Sequence, residues 1–122
     1  MNRRDLNALL ATIGAFRQRH CDISLTNIVA FLHVCENEGV TVKELAYLCG
    51  ASEASISRSL QALRLPAASR DGIVHHGLVQ VFQHPDDGRR RVVYLTEDGC
   101  ELRNVVDRTL SAQTRMPEAV GA

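Results

Sequence analysis

The chain has no tryptophan, only five aromatic residues and a single lysine among its 122 residues. With so few large rings the core has to be aliphatic, and an apolar fraction of 45% suffices for one domain of this length. No apolar run approaches the roughly 18 residues that cross a bilayer. The opening Met1-Asn2-Arg3-Arg4-Asp5 leads into an amphipathic segment with no signal-peptide cleavage pattern, so a soluble cytoplasmic protein is expected. Phosphate-binding glycine motifs, serine elbows and Cys/His pairs in a recognisable setting are all missing. No enzyme, cofactor or metal is expected. There is also no C-x-x-C pair among Cys21, Cys35, Cys49 and Cys100. They read as reduced, mostly structural thiols, because a free cysteine behaves as a small apolar residue. Cys21, beside His20 at the end of the first predicted helix, is the one with the setting of a redox sensor.

Net charge is absent as well, with 14 basic and 14 acidic residues, but its distribution is uneven. Between Ser55 and Leu95, six arginines (Arg58, Arg64, Arg70, Arg89, Arg90, Arg91) face three acids, a local balance of +3, and the remainder carries −3. A polyanion responds to the field within a Debye length of about 8–10 Å, not to the sum over the chain.

What is present centres on Thr41–Arg64, which reads as two short helices broken at Gly50. Thr41-Val42-Lys43-Glu44 is a capping box, in which the Thr41 hydroxyl accepts from the Glu44 amide and the Glu44 carboxylate accepts from the Thr41 amide. Val42, Leu45, Ala46 and Cys49 share one face. Gly50 allows the left-handed backbone that ends a helix, and Ser52 is an N-cap for the next. There Ile56, Ser59, Leu60 and Leu63 form the inner face. At about 100° per residue, Ala54, Ser55, Ser57, Arg58 and Gln61 point away from it. Small, hydroxylic and amide side chains with one arginine suit a surface that enters a major groove. The pattern is a helix-turn-helix with the second helix as reader.

The flanking chain fits around this pair. Leu6, Leu9, Leu10, Ile13 and Phe16 predict an amphipathic helix over 3–20, whose stripe packs on its own domain or on a partner subunit. Ser24 caps a second helix carrying Leu25, Ile28, Val29, Leu32 and Cys35 or Glu36, which stops at Gly39. Leu65-Pro66 ends the reader, since a residue before proline avoids helical angles. Pro66–His76 reads as a loop. Two strands, 77–82 and 90–95, flank the turn cluster Gln83-His84-Pro85-Asp86-Asp87-Gly88 and make a β-hairpin with an arginine-rich tip. Thr96 caps a last helix over 97–112, with Glu97 and Asp98 in its first turn and Leu102, Val105, Val106 and Leu110 as its stripe. Residues 113–122 read as a flexible tail. The expected fold is mainly α with a small β-hairpin (α+β): one winged helix-turn-helix domain over 1–112.

At this point the sequence resembles the MarR family of bacterial transcriptional regulators. The most specific stretch is Asp87-Gly88-Arg89-Arg90-Arg91-Val92-Val93-Tyr94-Leu95-Thr96-Glu97-Asp98-Gly99, which looks like the family's wing pattern, D-x-R, an apolar strand, then L-T-x-x-G. Thr41-Val42-Lys43-Glu44-Leu45-Ala46 resembles the opening of the helix before the reader, and Ser55–Leu63 the reader itself. The likeness covers about residues 5–111. It implies a homodimer built from the flanking helices 3–20 and 97–112, a recognition helix in the major groove, and Arg89 at the minor groove with Asp87 bracing it. A guanidinium on a hairpin tip also suits the negative potential of a narrow minor groove on physical grounds. Two features depart from the pattern: Pro66–His76 adds roughly ten residues before the wing, and the chain stops before a further C-terminal helix that many relatives have.

The candidate DNA contacts are therefore Ser52, Ala54, Ser55, Ser57, Arg58, Gln61 and Arg64, with Asp87, Arg89, Arg90 and Arg91 on the hairpin. The expected function is sequence-specific transcriptional regulation, as a repressor, by a homodimer on a palindromic operator. The expected partners are double-stranded DNA, a second copy, and a small-molecule or redox effector that acts through the spacing of the two readers. The alternative is a winged-helix protein-interaction module that has lost DNA binding, favoured by the zero net charge, the insertion and the short C-terminus. His75, His76 and His84 read as surface loop histidines, with a metal site or pH sensor as the sharper alternative. Two acids, Asp86 and Asp87, are too few for a cation site and read as partners of the arginines.

Overall fold

The computed structural model describes residues 3–64 and 75–115, with only the helical backbone described at 113–115. Two units share the described chain: Ile23–Cys100, and a second made of the two chain ends up to Asp22 and from Glu101 onward. Among the described residues no helix is long and apolar enough to cross a membrane.

In the larger unit, helix α2 (Leu25–Glu36) starts at Ser24, whose hydroxyl accepts from the Asn27 amide at 3.1 Å. Its buried side is Ile28, Ala30, Phe31 and Val34, while Leu25 is 70% exposed. The expected stripe through Leu25 and Val29 is thus rotated. A helix this apolar on most of its circumference has no unique inner face until its neighbours are placed. Helix α3 (Val42–Cys49) has both bonds of the capping box, Glu44 amide to Thr41 Oγ1 at 3.1 Å and Thr41 amide to Glu44 Oε1 at 3.0 Å. It ends at Gly50 in the left-handed region, φ 64°. Helix α4 (Glu53–Leu63) is capped by Ser52, which accepts from the Ser55 amide at 3.1 Å, and buries the four expected residues Ile56, Ser59, Leu60 and Leu63.

The sheet contains one strand more than expected. β1 (Val40–Thr41), immediately before the α3 cap, pairs with β3 (Asp87–Leu95), which pairs with β2 (Val79–His84), giving an antiparallel order β1-β3-β2. Val40 faces Val93 and Thr41 faces Val92. A two-residue strand has no periodicity of its own, so only its partner reveals it. The hairpin is also tighter than the six-residue turn the sequence suggested, with only Pro85 and Asp86 between the strands. Gln83 pairs with Arg91 and His84 with Asp87, so Gly88, Arg89 and Arg90 stand off the ladder as a bulge.

Phe31, Leu45, Ile56, Leu63, Val79 and Val93 are fully buried in this unit and come from α2, α3, α4, β2 and β3. Each such side chain contributes about 1.5–3 kcal/mol relative to an exposed one. The core therefore holds α4 and the wing hairpin on one scaffold. The start of α5 (Glu97–Arg115) is fixed to the same scaffold by Thr96. Its hydroxyl donates to the Gly77 carbonyl at 2.6 Å and accepts from the Gly99 amide at 3.0 Å. At Gly99 an added Cβ would overlap the Leu78 carbonyl, which explains a glycine inside a helical first turn.

In the second unit, α1 (Arg3–Arg19) buries Thr12 and Phe16, and α5 buries Leu102 and Val106. Arg19 and Glu101 form an ion pair at 3.5 Å. Leu6, Leu9, Leu10 and Ile13, the rest of the expected α1 stripe, are 53%, 49%, 72% and 39% exposed. Helix α5 runs three residues past the expected boundary at 112, so the expected tail begins inside it. Residues 116–122, and most of the Pro66–His76 insertion, lie outside the described residues.

Candidate nucleic-acid interface

The outward side of α4 carries Ala54, Arg58 and Gln61 exposed, with Ser55 and Ser57 half-buried. The local reason is the inner face: four residues held in the core leave the opposite side of an eleven-residue helix to solvent. Ser52 is exposed, but its hydroxyl is occupied by the Ser55 amide as the helix cap. The Gln61 carbonyl lies 2.8 Å from His75 Nδ1, outside the helix.

The wing approaches this face through one side-chain bond. Arg91 Nη2 donates to Ser57 Oγ at 3.0 Å, from the first ladder residue after the bulge to the middle of the reader helix. Arg89 and Arg90 are exposed on the bulge, and among the described residues neither forms an ion pair. Asp87 braces Arg89, but by a different bond from the one expected: its Oδ1 accepts from the Arg89 backbone amide at 3.0 Å, not from the guanidinium. The carboxylate thus shapes the bulge and leaves the arginine head available.

Arg64 is placed differently from the other candidates. It is the half-buried C-cap of α4, bridged to Val79 at the start of β2, and its Nε is buried without a hydrogen-bond partner. Read from sequence, it is a candidate DNA contact at the end of the second helix. The chain turns extended there, φ −80° and ψ 171°, which removes it from the helical progression.

Sequence reasoning missed the cleft beside the wing. Thr41, Lys43 and Glu44 of the α3 start, Glu53 of α4, and Arg89, Arg90 and Arg91 line a space of about 470 Å³. The Glu44 carboxyl there is held below its ordinary pKa, first by the Thr41 backbone bond, then by the Thr41 side chain and the nearby Arg90 charge, with burial opposing. A single lysine in a capping sequence carries no sign of this, because the arginines that complete the cleft are more than forty residues away in sequence.

Among the described residues no group of three or more His, Cys, Asp or Glu is placed to hold a metal ion. His84 Nδ1 instead accepts from the Asp86 amide at 3.1 Å inside the hairpin turn. Cys21 is exposed, Cys35, Cys49 and Cys100 are half-buried, and among the described residues none of the four is in a disulfide.

No protein-family model matches the chain, and no curated protein matches it in sequence. Solved structures do match it in fold. The S. aureus MepR–DNA complex is similar with a TM-score of 0.70 at 15% identity, over 91% of this chain and 82% of that one. A MarR transcriptional regulator from Methanosarcina mazei Go1 gives 0.62 at 16% identity, over 88% and 68%. The crystal structure of MarR gives 0.59 at 17% identity, over 88% and 72%. With its helix-turn-helix, three-stranded winged sheet and flanking helices, this chain has the MarR-like winged-helix fold.

Proposed function

We propose that the protein is a sequence-specific DNA-binding transcriptional regulator that acts as a homodimer on a palindromic operator, as a repressor. The observation that carries this is the Arg91–Ser57 bond, because it joins the arginine wing to the outward face of α4 within one compact unit. In this reading Ser55, Ser57, Arg58 and Gln61 read base edges in the major groove. Arg89 reaches the adjacent minor groove from the bulge, and phosphate contacts set register and most of the affinity. One solved structure of similar fold is a MepR–DNA complex, which supports a duplex as the partner.

The exposed leucines of α1 support the dimer. Four large apolar side chains on one side of a helix form a patch that a second copy covers, and two-fold pairing sets the spacing of two half-sites. An effector that alters the spacing of the readers would release the operator.

Selection of bound sequences from a random duplex library tests binding, symmetry and spacing together, and a two-fold consensus is expected. Absence of binding to any duplex at low salt, with Arg89→Ala indistinguishable from the native chain, sinks this reading. It would leave the protein-interaction module in its place.

A further inference from the structure

The cleft between the start of α3 and the wing is not part of the reader face, and its charge is unbalanced. Lys43, Arg89, Arg90 and Arg91 line it against only two acids, Glu44 and Glu53. One of those acids is already committed, since Glu44 accepts from the Thr41 amide at 3.0 Å. The Glu44 amide is likewise committed, to the Thr41 hydroxyl at 3.1 Å. The excess is one of side-chain cations. They are drawn from two elements that the core fixes relative to each other, and β1, carrying Thr41, pairs directly with β3, carrying the arginines.

We infer that Lys43 and the wing arginine Arg90 form a seat for one phosphate of the DNA backbone, separate from the base-reading contacts. The seat rests on the DNA-binding reading above. In a helix-turn-helix, the helix before the reader crosses the phosphate backbone, and here that helix is α3. A lysine is a compact charge with three rotatable donors and no planar fork, suited to a phosphate as a point charge and not to bidentate recognition of a base. Its contribution is therefore to affinity and salt dependence, with no share in sequence preference. Lys43 is exposed on the second position of α3 and its backbone carries the helix regardless, so replacement leaves the fold intact.

The test uses the full chain, a selected operator and a random duplex, with affinities measured by fluorescence anisotropy from 50 to 300 mM salt. Lys43→Gln is expected to weaken both duplexes by the same factor, about five- to tenfold near 0.1 M salt, and to lower the slope of log K against log salt by about one. Lys43→Arg is expected to restore most of both. If the native chain binds duplex but Lys43→Gln keeps its affinity and slope, the seat is wrong and the DNA-binding reading stands. If the native chain binds no duplex, the reading itself fails. A loss confined to the operator makes Lys43 a base-reading residue and overturns the assignment. Saturable binding of inorganic phosphate at constant ionic strength, lost in Lys43→Gln while the duplex slope is unchanged, makes the cleft a free-anion site and overturns it equally.

Discussion

Arg91 Nη2 lies 3.0 Å from the Ser57 hydroxyl, bonding two residues 34 positions apart in the chain. The bond is exposed, so its net worth to folding is small. Removing it by Arg91→Ala is expected to change stability by no more than roughly 0.5 kcal/mol in urea unfolding. Duplex affinity should respond far more, falling by about five- to tenfold near 0.1 M salt as one cation is lost. Ser57→Ala should lower the operator-to-random affinity ratio without altering the salt slope. Equal affinities for native chain and Arg91→Ala would remove the wing-to-reader link from the account of binding.

Gly99 tests the junction between the wing and α5. Because a Cβ there would overlap the Leu78 carbonyl, Gly99→Ala is expected to cost about 1–3 kcal/mol or more. Gly14, in the interior of α1 with nothing within 4 Å of its would-be Cβ, is the control. Gly14→Ala should stabilise by roughly 0.5–1 kcal/mol through helix propensity. Urea midpoints moving in the same direction for both would contradict this.

The capping box predicts both a magnitude and a pH dependence. Thr41→Ala is expected to cost about 1 kcal/mol. The Glu44 pKa is lowered in the folded protein, so its contribution is fully present above the unfolded carboxylate pKa and is lost as pH falls through the folded value. Thermal unfolding from neutral to acid pH should therefore show native protein and Glu44→Gln converging at the acid end. A gap between them that widens as pH falls would reverse the sign and exclude the mechanism.

The α1 patch predicts oligomeric state. Leu10, 72% exposed, contributes little to the fold of its own chain, so Leu10→Glu should leave the circular dichroism spectrum unchanged. Sedimentation should then show a dimer for the native protein and a monomer for Leu10→Glu. A native protein that sediments as a monomer at all accessible concentrations rules out the two-fold operator model.

Thiol reactivity should separate the cysteines. Cys21 is exposed, whereas Cys49 is half-buried and burial raises its thiol pKa, which lowers the thiolate fraction at neutral pH. A limiting thiol reagent at pH 7 is expected to label Cys21 before Cys49, as read by peptide mass mapping. Preferential labelling of Cys49 would mean that its local environment opens in solution.

What the sequence determined by itself was everything governed by interactions within about four residues. The Thr41–Glu44 box, the Ser24 and Ser52 caps, the Gly50 stop and the inner face Ile56, Ser59, Leu60 and Leu63 all follow from helix geometry and local hydrogen bonding. The order of helices and hairpin was legible for the same reason. Tertiary structure alone decided the rest. Strand β1 exists because β3 returns beside it, and the buried side of α2 was chosen by its neighbours among several apolar ones. The bulge at Gly88–Arg90 comes from strand register, and the need for a glycine at 99 from a carbonyl twenty-one residues earlier. Arg64 became the half-buried cap of α4 when the chain turned to meet Val79, and Lys43 joined the wing arginines when the sheet closed. Local signals delimit α4, but a site built from residues distant in sequence appears only when the folded backbone brings them together.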